Sequence, residues 1–147
     1  MIIEFDIANP DAFEAIAMKA FEDARVPCQD AMATEFGRIA KNNFGEQGED
    51  RPIGWVELSP RYAKRYHDGN RIPTLILRDE MRNSIMANVG EADDCHVVTR
   101  MEYAQIHQFG TDHVPARPFF PMDAAGQITP YTLERVMASA QDALNNL

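Results

Sequence analysis

Cysteine is scarce: Cys28 and Cys95 are the only two among 147 residues. One pair cannot make the disulfide framework of a small secreted domain, and no Cys-x-x-Cys is present for a zinc ribbon or a redox site. Both are therefore expected as small apolar side chains in the core. No window approaches about 18 consecutive apolar residues, which excludes a transmembrane helix. Bases are outnumbered, 14 against 23 acids, for a net charge of −9. That balance argues against a general nucleic-acid surface and against attraction to an anionic membrane. The short signatures of common chemistries are missing as well. There is no phosphate-binding glycine loop, no dinucleotide fingerprint, no strained nucleophile elbow and no two-histidine zinc helix. Residues 1–6 carry two acids and no basic segment. No export signal is read there, and the chain is expected to stay in the cytosol where it is made.

The length suits one domain, 1–147, which can bury about 68–70% of its unfolded surface without a disulfide or metal. Residues 2–7 alternate like a half-buried strand. Asn9-Pro10 then opens a helix by the cap-plus-proline signature. Its stripe runs through Phe13, Ile16, Ala17, Ala20, Phe21 and Ala24, and Pro27 is expected to end it or bend the chain. A second helix is expected through Met32, Phe36, Ile39, Ala40 and Phe44, making an N-terminal helical pair. Residues 45–54 hold three glycines and a proline among charges, which predicts an exposed, flexible loop. Ser59-Pro60 opens a short helix over 61–67, and 68–70 form a turn. Thr74 is expected to cap a helical stretch reaching Ile85. Residues 84–89 and 95–101 form a hairpin across the acidic 90–94. A short helix over 101–109 stops at Gly110. Three prolines between 114 and 121 make that segment extended. Thr129-Pro130 starts the last helix, with Leu133, Val136, Met137, Ala140 and Leu144 on one face. This order predicts an α+β domain: a small antiparallel sheet flanked by helices, with the N-terminal pair and a C-terminal helix.

Candidate chemistry is thin. His96, His107 and His113 lie close in sequence to Cys95 and Asp112, yet no two share the i,i+4 spacing of a zinc helix. Cys95 and His96 are strand neighbours and point to opposite faces, so they cannot share a proton. Asp93, Asp94 and Glu102 fit a solvated turn better than an acid–base pair. No catalytic, cofactor or metal site is expected. The charge is unevenly spread, however. Residues 1–50 carry 11 acids and 4 bases, residues 51–82 carry 4 acids and 7 bases, and residues 83–147 carry 8 acids and 3 bases. An acidic chain with a basic middle could use one surface to meet the other on a second copy or a partner.

Four blocks stand out. They are Trp55-Val56-Glu57-Leu58-Ser59-Pro60 with Tyr62 and Lys64; Leu75-Ile76-Leu77 with Met81 and Ser84-Ile85; Tyr103-Ala104-Gln105-Ile106-His107-Gln108-Phe109-Gly110; and Pro115-Ala116-Arg117-Pro118-Phe119-Phe120. In this order and spacing they resemble the phage virion morphogenesis, or tail completion, family of Mu-like tailed phages and prophages. The resemblance spans about residues 30–145. Members carry a glycine in the stretch that is Arg78 to Asn83 here. Its loss removes a position suited to positive φ and predicts continuous helix in place of a local turn.

The resemblance implies a structural protein of tail completion or head–tail joining. It implies a ring built through protein–protein contacts, with six copies as the number suggested by the tail's symmetry. Its partners would be itself and the tail tube, terminator or neck proteins, without cofactor. Its place would be the virion and, during assembly, the host bacterial cytoplasm. Interaction residues are expected at Trp55, Tyr62, Lys64, Tyr103, Phe109, Arg117 and Phe119, types enriched at interface hot spots. Core packing is the competing expectation for Leu77, Ile85, Ile106 and Phe109. Arg117 could close a bidentate pair with a carboxylate, in the same chain or in a neighbour. Two other classes stay open: a small metal- or histidine-dependent enzyme using His96, His107 or His113, and a non-phage adaptor using the basic 51–82 strip.

Overall fold

A computed structural model describes residues 10–45, 48–66, 75, 79–89 and 95–147. The expected strand at 2–7, the turn at 68–70, the acidic connection at 90–94 and Leu77 lie outside them. Helix α1 (Pro10–Asn42) is followed by α2 (Pro60–Tyr66), α3 (Glu80–Asn83), strands β1 (Met86–Val89) and β2 (Cys95–Val98), then α4 (Ala104–Phe109) and α5 (Pro130–Asn145). The architecture is α+β, with helices dominant and one two-stranded antiparallel sheet.

The expected helical pair is a single helix. α1 runs for 33 residues with Pro27 inside it. Proline has no N–H for the carbonyl four residues back and crowds that turn, at a cost of about 3 kcal/mol. Tertiary packing outweighs this. Residues 17, 21, 24, 28, 31 and 35 follow one another at four and three positions and share a face, and α5 lies antiparallel along part of it. Cys28 Sγ reaches Ala140 O at 3.7 Å, Ser139 Oγ donates to Ala31 O at 3.2 Å, and Arg135 Nε donates to Glu35 Oε1 at 3.1 Å. Cys28 is thus half-buried against α5 rather than in the main core. Thr129 caps α5 by accepting from Thr132 N at 3.4 Å. The face of α5 turned inward holds Thr132 and Val136, while Leu133, Met137 and Leu144 are exposed. The expected apolar stripe is therefore split between α1 and the surface.

The core gathers at the C-terminal end of α1. Ala40 and Phe44 pack with Met81, Ile85, Ala104 and Phe119, and Trp55, Leu75 and Met101 close over them. The hairpin crosses α1 at Gly37. A Cβ there would stand 3.7 Å from both Ala87 and Val97, which are register partners. Phe44 contacts Phe119 and Trp55, with ring centroids 5.2 and 6.1 Å away.

The expected exposed loop at 45–54 is held down over part of its length, with 46–47 outside the described residues and Gly45 exposed. Gly48 to Pro52 are half-buried, with Ile53 and Gly54 exposed. Asn43, fully buried, holds this stretch down. Its Nδ2 donates to Asp50 O and Phe119 O, both at 2.9 Å, and its Oδ1 accepts from Glu49 N at 3.0 Å and Asp50 N at 2.8 Å. Asp50 in turn accepts from the hydroxyls of Thr129 and Thr132. One amide so ties α1, the loop, the 119 segment and, through Asp50, the start of α5.

Candidate functional site

The segments carrying the sequence blocks meet at one place beside the core. Trp55 Nε1 donates to Pro118 O at 2.9 Å. Arg117 is buried, 6% exposed, and its Nε and Nη2 donate to Val56 O at 3.0 Å and Glu57 O at 3.3 Å. The backbone N of Arg117 donates to His107 O at 2.6 Å. Gln108, also buried, accepts from Phe119 N at 3.1 Å and Phe120 N at 3.0 Å, and its Nε2 donates to Phe120 O at 3.3 Å. The Trp55, Tyr103 and Arg117 blocks are thereby laced together through backbone groups that would otherwise be buried unpaired, each costing about 1–3 kcal/mol. Among the described residues Arg117 meets no carboxylate of its own chain: prolines at 115 and 118 hold its backbone extended, and its guanidinium meets main-chain carbonyls. Burial pulls its pKa below the usual arginine value, and it remains a cation.

Local geometry at this corner depends on Gly110. Its φ is +74° and ψ 179°, a combination essentially confined to glycine. A Cβ would lie 2.8 Å from Ala116 N and 2.9 Å from Val114 O. The chain can therefore leave α4 and fold back so that Arg117 reaches His107.

A cleft of about 800 Å³ opens over this junction, lined among others by Val56, Leu58, Tyr62, Tyr103, His107 and Arg117. Tyr103 stands edge-on to His107, centroids 5.9 Å apart. Burial, with Arg117 nearby, lowers the His107 pKa below its ordinary value. Two buried polar atoms of cleft-lining residues, His107 Nδ1 and Asp79 Oδ1, have no hydrogen-bond partner among the described residues. The backbone there is strained too. Leu75 and Asp79, both lining the cleft, have φ of +71° and +57°, and non-glycine residues in that region are uncommon. The continuous helix expected across 78–83 is thus corrected. Asp79 makes a left-handed turn and α3 begins after it.

The expected interaction residues divide. Tyr62, Tyr103 and Arg117 line the cleft, with Tyr62 and Tyr103 exposed at its rim. Trp55 lies behind it, half-buried, with the Arg51 guanidinium carbon 3.8 Å from its ring centroid, a cation–π contact. Lys64 is exposed on α2. Phe109 is 56% exposed, against the expectation of core packing. It borders a second cleft of about 610 Å³ with Met101, Phe120 and Met122. Ile106 is likewise exposed, whereas Ile85 is core. Phe119 is fully buried, so as an interaction residue it is corrected to a core residue. Gln108 and Asn43 were not singled out from sequence. An amide beside apolar neighbours has no periodicity to betray it, and only its partners show its role.

Among the described residues, no group of three His, Cys, Asp or Glu side chains could hold a metal ion. His96 is exposed on β2, whereas His113, also exposed, lines the same cleft as His107. No helix among the described residues is long and apolar enough to cross a membrane. No family model, curated protein or solved structure matches this chain.

Proposed function

We propose that the chain is a structural component of virion assembly in a tailed phage or prophage, acting in tail completion or head–tail joining as a subunit of a ring. The observation that carries this reading is the lacing of the blocks that motivate the resemblance. Trp55, Gln108 and Arg117 commit their polar atoms to neighbouring backbone, which supports a surface held in one shape. Asp79 adds support. It adopts a left-handed turn within the stretch where the resemblance places a glycine, the residue best suited to that conformation. Tyr62, Tyr103 and Phe109 are left at the surface, and tyrosine in particular is a residue type that anchors protein interfaces.

On this reading the protein works without cofactor, in the host cytoplasm during assembly and then in the virion. Its partners are further copies of itself and tail tube, terminator or neck proteins. Co-sedimentation with isolated tails tests it. The purified protein should pellet with tails that lack it, and Tyr103→Glu should weaken this by about tenfold or more. Absence of the protein from every tail fraction would count against the reading.

A further inference from the structure

Every residue of α1 from 14 to 23 is exposed, so this half of the helix is an arm that stands clear of the other described residues. The arm leads back to the segment whose alternation predicts a strand. In residues 2–7, Ile3, Phe5 and Ile7 fall on one face and Glu4 and Asp6 on the other. The sheet among the described residues lies at the opposite end of α1, where β1 and β2 cross the helix at Gly37. From Pro10 to Gly37 the helix rises about 40 Å, and a four-residue strand recovers at most about 14 Å of that distance. Ile7 can reach about 11 Å from Pro10, and Ile3 about 25 Å with the chain fully extended. The segment therefore cannot lie along the hairpin of its own molecule. That hairpin has open edges. Each strand is paired on one side only, and among the described residues no backbone hydrogen bond leaves the outer edge of either. The strands read Met-Ala-Asn-Val and Cys-His-Val-Val, without the lysine, proline or acid with which natural edges repel an incoming strand.

We propose that residues 2–7 of one copy add as a third strand to the edge of the hairpin in the next copy, carried there by the α1 arm. The proposal rests on the assembly reading and names the contact that joins subunits. Addition of a strand draws its affinity from main-chain hydrogen bonds and its register from alternate side chains. The hairpin is two-faced in the same way as the segment. Ala87 and Val97 face α1 at Gly37, and Asn88 and His96 are exposed on the opposite face. Ile3, Phe5 and Ile7 extend the layer against α1 of the receiving copy, and Glu4 and Asp6 stay outside with Asn88 and His96. Because the donated segment and the receiving edge are different surfaces, the contact is heterologous and generates a closed ring or a filament, not a two-fold dimer.

A full-length double variant, Ile3→Pro with Phe5→Pro, tests this. Proline has no N–H to give to a strand ladder, and neither position belongs to the described core. In sedimentation velocity up to about 100 μM the unaltered protein should form oligomers, and the double variant should associate about tenfold or more weakly. A synthetic peptide of residues 1–9 added to the double variant should slow amide hydrogen exchange over 86–89 or 95–98. The same peptide with the two prolines should leave it unchanged. An unaltered protein that stays monomeric, a double variant that assembles like it, or a peptide that leaves exchange in the hairpin unchanged overturns the proposal. Packing of residues 2–7 against the α1 arm of their own copy would give the first of these results. Tail co-sedimentation separates this failure from that of the assembly reading: a double variant that still pellets with tails leaves the assembly reading standing without this contact.

Discussion

Asn43 is the residue on which most of the fold's connections depend. All four of its side-chain hydrogen-bonding positions are used, two donated and two accepted. Truncation strands backbone groups on two segments, at 49–50 and at 119. Asn43→Ala should cost about 2–4 kcal/mol in urea unfolding. Asn43→Asp should cost at least as much, because it sets a carboxylate against the carbonyls of Asp50 and Phe119. Asp79 makes a different case. Its strain is backbone strain, and Asp tolerates the left-handed region better than most residues. Asp79→Gly relieves the strain but adds unfolded-state entropy, so stability should stay within about 0.5 kcal/mol of the parent. Asp79→Ala should cost about 1–2 kcal/mol. Equal stabilities for the Gly and Ala variants in thermal unfolding would contradict the left-handed assignment.

At the scale of elements, α1 shows why a local signal can mislead. Pro27 reads as a break because proline removes a helix hydrogen bond. The four-and-three spacing from 17 to 35 runs through it, and that longer pattern prevails once α5 packs against it. Pro27→Ala should raise stability by about 1–3 kcal/mol without altering oligomeric behaviour, measured by thermal unfolding and sedimentation. The loop after α1 was legible as a break and not as an anchored one. Its glycines and charges are visible in sequence, whereas the partners of Glu49 are not. Arg38 grips Glu35 and Glu49 at once, with N–O distances of 2.8–2.9 Å, and Tyr131 of α5 donates to Glu49 at 3.1 Å. The Arg38 hydrogen bonds, more than any other contact, hold the Glu49 pKa down to about 2. The folded state therefore binds a proton there less readily than the unfolded chain. The contribution is full above the ordinary glutamate value of about 4.3 and is lost as pH falls from there toward 2. Glu49→Gln should lower stability at pH 7 and flatten the stability–pH curve below pH 5. An unchanged slope would show that the pair contributes nothing to acid sensitivity.

For the whole molecule, the α+β class, the hairpin, α2, α4 and the capped α5 were readable from caps, prolines and alternation. The sorting of exposed from buried was not. Phe119 and Phe109 sit in neighbouring blocks with similar surroundings in sequence, yet one is fully buried and the other exposed. Only the fold-back at Gly110 separates them. The same limit applies to charge. An acidic chain with a basic middle is visible from counting, while the gathering of Glu57, Asp79 and Glu80 around the cleft that Arg117 also lines is a property of the folded chain. The proposal of virion assembly is tested most directly by negative-stain imaging of particles made after this gene is removed from the phage or prophage that the proposal requires. Filled heads separate from tails are expected, with the tails overlong or unjoined, and joined particles should return when the protein is supplied. Normal, joined and infectious virions in its absence would contradict it.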